Sequence, residues 1–435
     1  MSIDRTSGSA RVDPCRAGIL LVLLCLTAPA PALAQKTTWE APPEDTIPPT
    51  RRPPGPANGG APATPKRDWN EFDLGFTTLR VGGVLLLEAA TYSQDDESAA
   101  QVDLEPAGAM RDGRFLFRGR LAIDWPVTWQ TGIMYEESTR SWRFRQSGFI
   151  VKLPGAWGAV FLGRTKEGIS SNKMMSGTYG WTMERFTFSD ATLPILADGV
   201  RWFGHLPEQH LIWQLGFFHD WQSEVETFSR DEHQIAARAI WVSQPPDSNG
   251  VLHLGLNGRW SKPDGDEMRL RSKPESFTAP YVIDTGLFRA TSSYMVGPEI
   301  YYQRGGWLMG SEYYVLRAES EEADNPIFHG GDVFVSRLLN GATRRYNLGV
   351  FGNVIPTDPL FEGGPGAFEV LLRLSYSDLN GGTLEGGTFW RVTPMVNWHI
   401  NENLRFEFAY GYGVLDRFDL TGATRFFQSR IQMQL

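Results

Sequence analysis

The fold is decided by the stretch at residues 366–377, which reads GAFEVLLRLSYS. Apolar side chains recur there at every second position, at Phe368, Val370, Leu372, Leu374 and Tyr376. The intervening positions hold Glu369, Arg373, Ser375 and Ser377. Because successive side chains of a β-strand point to opposite faces, this alternation predicts a strand with one apolar and one polar face.

The same alternation recurs along the chain. Residues 113–125 place Phe115 and Phe117 on one face and arginines on the other, and the last residues, 427–435, repeat the pattern. A soluble sandwich also alternates, but many strands of about 9–12 residues with aromatic ends and alternately short and long connections favour a membrane barrel. Bacterial barrels have even strand numbers, so of about 17 strand-like runs we interpret residues 345–352 as irregular, which leaves about 16. The predicted fold is all-β, a closed antiparallel transmembrane β-barrel.

The connections predict an orientation and an internal loop. Short turns recur at residues 125–126, 153–155, 206–208 and 401–403, and long polar segments lie between them. Bacterial barrels keep short turns on the periplasmic side and long loops outside. Residues 165–199 form the longest loop and are rich in Gly and aromatic residues, among them Tyr179, Trp181, Phe186 and Phe188. We therefore expect this loop to fold partly into the lumen.

The N-terminal part divides into two segments before the barrel. Residues 1–34 contain arginines, a short apolar run at 19–26 and the sequence Ala32-Leu33-Ala34, which together are typical of a signal peptide. Cleavage after Ala34 would remove both cysteines, Cys15 and Cys25. Residues 35–68 are rich in Pro and lack an apolar period, which predicts a disordered tether. Residues 69–435 form the predicted barrel domain.

Strand parity selects the candidate pore residues. It places a set of cations on the lumen face: Arg114, Arg118, Arg120, Arg143, Arg145, Arg164 and Lys166, with Arg238, Arg373 and Arg391 further along. Rings of Arg and Lys attract anions because a narrow channel with low-dielectric walls focuses their field. The alternative is that each arginine braces the wall by pairing with an acid, such as Glu136, Glu369 or Glu407. Both readings stay open at this stage.

Other chemistries find little support in the sequence. The histidines show no metal-ligand spacing, and the chain has no G-x-S-x-G elbow and no phosphate-cradling glycine loop. We therefore predict no enzyme activity, no metal and no cofactor, and no nucleic-acid partner. A barrel acting as an outer-membrane enzyme or adhesin is the alternative from another class. The net charge of −9 is weak evidence about the pore, since screening acts over about 8 Å at physiological salt.

Several stretches resemble the phosphate-selective porin O and P family. The chain reads Asn340-Gly341-Ala342-Thr343-Arg344-Arg345-Tyr346 at a turn motif, Gly366-Ala367-Phe368-Glu369-Val370 and Arg373-Leu374-Ser375-Tyr376-Ser377-Asp378-Leu379 in the next strand, and Val396-Asn397-Trp398-His399-Ile400-Asn401 further on. Gly163-x-x-Lys166 and Met183-Glu184-Arg185 resemble the stretches around the family's third, pore-folded loop. At the turn motif, the family's Thr and Glu are replaced here.

The resemblance implies a 16-stranded anion-passing barrel of the bacterial outer membrane, usually a homotrimer, and adds Arg185 to the candidate pore residues. The predicted function is a porin that gives small anions a passive diffusion channel, with phosphate or polyphosphate as candidate substrates. The expected partners are outer-membrane lipid and small anions. The alternative is a general or sugar-type porin without strong anion selectivity.

Overall fold

The computed structural model describes residues 69–136, 140–219, 221, 229–243 and 250–435. The expected signal peptide and tether, residues 1–34 and 35–68, lie outside the described residues. The strands in chain order are β1 (Glu71–Asp73), β2 (Thr78–Gln94), β3 (Ala107–Arg120), β4 (Val127–Glu136), β5 (Ser141–Lys152), β6 (Ala159–Thr165), β7 (Ala197–Leu206), β8 (Leu211–His219), β9 (Asp231–Ser243), β10 (Gly250–Pro263), β11 (Glu267–Met268), β12 (Arg271–Ser272), β13 (Ile283–Asp284), β14 (Phe288–Arg289), β15 (Ser292–Arg304), β16 (Trp307–Glu319), β17 (Ile327–Leu338), β18 (Arg344–Asn347), β19 (Val350–Val354), β20 (Ala367–Gly381), β21 (Leu384–His399), β22 (Leu404–Arg417) and β23 (Leu420–Gln434).

Sixteen of these strands form one closed antiparallel barrel, which confirms the predicted fold class. The ring runs through β2–β10, β15–β17 and β20–β23, and it closes where β23 pairs with β2. The closing pair is long: Val84 lies opposite Gln434 at one end and Gln94 opposite Thr424 at the other. The short β1 pairs with the start of β2.

The wall shows the alternation that the sequence predicts. In β20, Glu369, Leu371, Arg373, Ser375 and Ser377 are buried and face inward, while Val370, Leu372 and Leu374 on the other face are exposed. Leu371, which breaks the apolar-polar alternation, is thus an inward-facing residue that packs with other apolar side chains in the lumen. The outward face carries the apolar side chains that a membrane requires.

The helices of the described residues are short and all lie in connections. They are α1 (Asp96–Gln101), α2 (Ser171–Met174) and α3 (Thr187–Thr192), and four single turns of 3-10 helix occur at 155–157, 207–209, 264–266 and 360–362. In the part of the chain covered by the structure, no helix is long and apolar enough to cross a membrane.

The two ends of the barrel differ in their connections. At one end, here called the turn end, neighbouring strands are joined by segments such as 207–210, 305–306 and 400–403. At the other, the loop end, residues 166–196 and 264–291 form the longest connections. We name residues 166–196 the inserted loop and residues 264–291, which include β11–β14, the loop-end insert.

One connection at the turn end departs from the expected pattern. Residues 339–366 join β17 to β20 and carry an antiparallel hairpin formed by β18 and β19, here called the turn-end hairpin (344–354). The interpretation of residues 345–352 as irregular was therefore wrong, although these residues do stay outside the barrel wall. Gly349 has a φ of +85°, which lets the chain reverse between the two short strands.

Aromatic side chains form a belt on the outside at the turn end. Trp202 and Trp213 meet edge to face with ring centres 4.3 Å apart, and Trp398 stacks on Phe368 at 5.5 Å. Trp307 is exposed at the same end of β16. Amphipathic rings are favoured at the boundary between lipid and water, so this belt marks one edge of the apolar band.

Candidate pore constriction

The inserted loop enters the barrel and is held by carboxylates of the wall. Glu299 on β15 accepts a hydrogen bond from the backbone N–H of Ser171 at 2.8 Å, and Glu312 on β16 accepts one from the N–H of Asn172 at 2.7 Å. The Ser170 hydroxyl also donates to Glu312. The first N–H groups of a helix have no acceptor within the helix, and in α2 these two buried carboxylates accept their hydrogen bonds. The prediction that this loop folds into the lumen is confirmed.

Donors of the far wall hold the middle of the inserted loop. Asn397 on β21 donates to the carbonyl of Trp181 at 2.9 Å, and Arg405 on β22 donates to the carbonyl of Gly180 at 2.7 Å. Gln432 on β23 donates to the carbonyl of Thr178 at 2.9 Å. Since the loop leaves the wall at β6 and returns at β7, these bonds fix it across the lumen.

The turn-end hairpin meets the inserted loop from the opposite side. The carbonyl of Gly349 accepts from the Ser171 hydroxyl and from Arg238, both at 3.0 Å. Trp181 of the loop stacks on Phe334 of the wall at 4.4 Å and meets Phe351 of the hairpin edge to face at 6.0 Å. Loop, hairpin and wall therefore share one packed cluster inside the barrel.

The loop-end insert covers a further part of the lumen. Arg391 on β21 donates to the carbonyl of Pro274 at 2.7 Å, and Arg373 on β20 is ion-paired with Glu275. The hydroxyl of Tyr92 on β2 hydrogen-bonds Ser276 at 2.7 Å. The insert is therefore bonded to strands on both sides of the seam between β2 and β23.

The inserted segments leave one part of the lumen open to water. Along β9, β10, β15 and β16, inward side chains such as Arg238, Glu299 and Glu312 are buried. Partly exposed inward side chains lie instead on β2–β5 and include Arg80, Leu116, Arg118, Gln130, Met134 and Ile150, and Arg120 is exposed at the turn end of β3. The water-accessible inner wall of the described structure is therefore the β2–β5 side.

Two of the predicted pore cations are ion-paired braces. Arg164 makes a two-pronged contact with Asp198 on β7, with N–O distances of 2.6 and 2.9 Å, and both side chains are buried. Arg143 lies 2.8 Å from Glu136 of the neighbouring strand. For these two residues the structure supports the bracing interpretation.

Two more predicted cations hold the inserted loop itself. The Lys166 ammonium donates to the carbonyls of Met174 and Met175 at 3.1 and 3.0 Å. Arg185 donates to the carbonyls of Asn172 and Met175 at 3.1 and 3.2 Å. Their charges stay in the loop that crosses the lumen, and their donors fix its shape.

Four more of the predicted cations lie on β3 and β5. Arg114 is buried 3.4 Å from Asp112, and Arg145 is buried on β5. Arg118 and Arg120 lie towards the turn end on the water-accessible side. Arg80 on β2 stands directly opposite Arg118 in the strand register and was missed in the sequence. Arg80 alternates with the apolar Leu79 and Val81, and this pattern in the sequence could have indicated that it faces the lumen.

Titratable groups of the inserted loop carry shifted pKa values. Burial lowers the pKa of Lys173 to about 7, although Asp190 at 4.0 Å favours the charged form. Burial alone would raise the pKa of Glu184, but Arg111 and Arg430 beside it hold that pKa at about 2. Lys173 therefore loses its charge near neutral pH, whereas Glu184 remains a carboxylate.

The charge of the lumen is uneven around the ring. Residues 107–219, from β3 to β8, contain thirteen Arg and Lys against nine Asp and Glu, in a chain whose net charge is −9. The lumen side of the wall strands from β15 to β22 instead carries five buried acids against three buried arginines: the acids are Glu299, Glu312, Asp332, Glu369 and Glu407, and the arginines are Arg373, Arg391 and Arg405. The cation-rich half of the barrel includes most of the water-accessible wall. Among the described residues, no group of His, Cys, Asp and Glu side chains is arranged to hold a metal ion.

The comparison with known families adds a decisive match. The sequence pattern of the family described as phosphate-selective porin O and P matches residues 109–419. The chain belongs to this family. Porins of this family are outer-membrane channels, so the protein is placed in the bacterial outer membrane. Short connections such as those of its turn end are typical of the periplasmic side of bacterial barrels.

One relative is similar to this porin in sequence, and two solved outer-membrane proteins are similar to it in fold. An uncharacterized protein of Caulobacter vibrioides is 27% identical over 291 residues, which cover 63% of this chain and 56% of that relative's length. The in-vitro folded outer membrane protein OmpT of Vibrio cholerae is 12% identical, with a TM-score of 0.53 over 84% of this chain and 99% of that one. OmpF of Salmonella typhi, in a complex with daunomycin, is 11% identical, with a TM-score of 0.50 over 84% of this chain and 100% of that one.

The stretches that resemble the family meet at one buried carboxylate of the porin. Arg344 of the turn motif binds Glu369 with N–O distances of 2.8 and 2.9 Å. Asn397 donates to the same carboxylate at 3.0 Å, and the Ser336 hydroxyl donates at 2.6 Å. The motif thus fixes the turn-end hairpin to the wall. Its role in the structure is to position this hairpin, which narrows the lumen.

A second cation that the sequence analysis missed lies behind the inserted loop of the porin. Arg201 on β7 is fully buried, with its guanidinium over the ring of Phe203 at 5.0 Å. It donates to the carbonyl of Lys166 at 3.3 Å. Arg201 alternates with Val200 and Trp202, which was the signal for a lumen residue.

Proposed function

We propose that this porin prefers anions over cations and lets them cross the outer membrane by passive diffusion. The observation that carries the proposal is the coincidence of two features, the water-accessible wall on β2–β5 and the excess of Arg and Lys from β3 to β8. An anion in a narrow channel loses part of its hydration, and fixed guanidinium groups replace it with charge-assisted hydrogen bonds.

Phosphate is the substrate that we propose first. The family description names phosphate selectivity, and guanidinium groups fork onto phosphate oxygens. The residues proposed to contact the anion are Arg80, Arg118 and Arg120. Arg114 and Arg145 are buried, so we propose that they add to the positive potential of the wall without touching the anion. We also propose that Lys166 and Arg185 act by shaping the constriction, and that Arg143 and Arg164 brace the wall. We further propose that residues 1–34 are a signal peptide followed by a tether at 35–68, and that the assembled form is a trimer.

The test is a reversal potential in a planar bilayer under a potassium chloride gradient. The double variant Arg80→Gln and Arg118→Gln removes two cations that lie side by side on the neighbouring strands β2 and β3. We expect the reversal potential of this variant to move towards zero, the value of a channel without ion preference. The control is Arg337→Gln on the outside of β17, where the guanidinium lies 4.5 Å from the ring centre of Trp307. This control removes a similar charge away from the lumen and should keep the wild-type value.

A reversal potential unchanged in the double variant would contradict the proposal. The general-porin alternative would then replace it. Competition by inorganic phosphate against chloride current separates the finer claim from the coarser one. A phosphate-selective channel loses chloride conductance at low phosphate concentrations, whereas a merely anion-preferring one does not.

A further inference from the structure

An apolar groove runs over the outside of the barrel between β9 and β16. It has a volume of about 470 Å³, and it is lined by Ile235, Ala237, Gly258, Trp260, Tyr294, Val296 and Val315, with Arg317 at one end. Gly258 forms its floor, because a Cβ added there would meet no atom within 4 Å. The groove therefore exists because two neighbouring outward positions, Ala237 and Gly258, hold small residues.

The strand register arranges the surface around the groove in layers. Ala237, Gly258, Val296 and Val315 face one another in one row of neighbouring strands. The next row towards the loop end holds Ile235, Trp260, Tyr294 and Arg317. Above it, His219, His233 and Lys262 form a row across β8, β9 and β10. The order from the barrel middle outwards is thus apolar, aromatic and basic.

This order matches one end of a lipid molecule. Aromatic rings are favoured at the boundary between acyl chains and head groups, and basic side chains just beyond it attract anionic head groups. Bacterial barrels keep their long loops outside the cell, so a lipid at the loop end belongs to the outer leaflet. Glu232 and Glu319 lie among the cations, with Glu232 2.5 Å from Lys262 and Glu319 3.4 Å from Arg317. A phosphate group would compete with these carboxylates for the exposed cations.

We propose that this groove binds an acyl chain of a phosphorylated glycolipid of the outer leaflet, with the phosphate held by Lys262 and Arg317. Arg317 is about half exposed, with a side-chain exposure of 52%, so its guanidinium is accessible from the membrane surface. The acyl chain would fill the space that the small residues Ala237 and Gly258 leave in the outer surface of the barrel. This site lies outside the pore and is independent of the ion selectivity.

Native mass spectrometry of the purified porin with added bisphosphorylated lipid A tests the groove. Gly258→Leu places a side chain on the floor, where an added Cβ meets no atom within 4 Å. We expect it to weaken lipid binding about tenfold, the effect of losing about two buried methylene groups. The matched control is Ala89→Leu on β2, which adds bulk to an exposed outward position elsewhere on the ring. This variant should bind lipid like the wild type.

The phosphate contact is tested separately with the double variant Lys262→Ala and Arg317→Ala. We expect it to lose affinity for bisphosphorylated lipid A and to bind a dephosphorylated lipid A as the wild type does. Equal lipid binding by Gly258→Leu and Ala89→Leu would overturn the proposal. A change of oligomeric state in Gly258→Leu with unchanged lipid binding would also overturn it, since the groove would then hold a second copy of the chain.

Discussion

Arg164 shows how one arginine can be assigned to the wall rather than to the pore. Its guanidinium and the Asp198 carboxylate are both buried and share two hydrogen bonds. Both interpretations of a lumen arginine were open in the sequence, because strand parity gives the face of a residue but not its partner. The partner lies 34 positions away, and only the pairing of β6 with β7 brings it close.

Replacing Arg164 by Ala should therefore affect stability and not selectivity. Removing one member of a buried ion pair leaves the other charge without compensation, which costs about 3–5 kcal/mol of the free energy of unfolding. We expect a lower urea midpoint for Arg164→Ala together with a wild-type reversal potential. Asp198→Asn should show the same pair of results. A shifted reversal potential at wild-type stability would assign Arg164 to the anion path instead.

At the scale of elements, the turn-end hairpin is the part that sequence analysis described least well. Asn347, Gly349 and Gly352 interrupt the alternation, so residues 345–352 had no strand signal of ordinary length. The hairpin forms because its backbone is bonded from outside, by Arg238 and Ser171 at Gly349 and by Gln303 at the carbonyl of Arg344. Such partners come from distant strands and leave no local pattern.

Gly349→Ala should displace the hairpin and widen the channel. A Cβ at Gly349 would lie 2.5 Å from the Cδ1 atom of Ile240, which is fully buried and so has little room to move, and the backbone there has a positive φ. We expect a larger single-channel conductance. Gly341→Ala is the matched control, since Gly341 also has a positive φ, of +76°, but a Cβ there meets nothing within 4 Å. Equal conductance in the two variants would mean that the hairpin does not limit the current.

The barrel strands were predictable where the inserted segments were not. Alternation of side chains is a local property, so the strand number and the lumen side of Arg118 followed from it. The anchoring of the inserted loop by Glu299 and Glu312 was not foreseen, because these acids lie more than 125 positions from the serines they bind. Closure of the ring brings these residues together. The sequence pattern indicates the individual strands but not which residues meet across the lumen.

For the whole molecule, the uneven charge of the lumen predicts a dependence on salt. The cations of β3–β8 act through a field that spreads over several side chains, and the screening length falls from about 10 Å at 0.1 M to 3 Å at 1 M salt. We expect the anion preference, measured as a reversal potential at a fixed concentration ratio, to decline steadily over this range. A preference that is constant with salt would indicate direct contact at one tight site.

The pairing of β2 with β23 also sets the order of events during biogenesis. Glu88 and Arg430, which form an ion pair across this seam, are 342 positions apart, so the ring closes only when both ends of the domain have been synthesised. Until then β2 and β23 each expose an unpaired edge, which lipid does not tolerate and which favours aggregation. We therefore expect the porin to be most prone to aggregation before the seam closes, and closure to coincide with its insertion into the membrane.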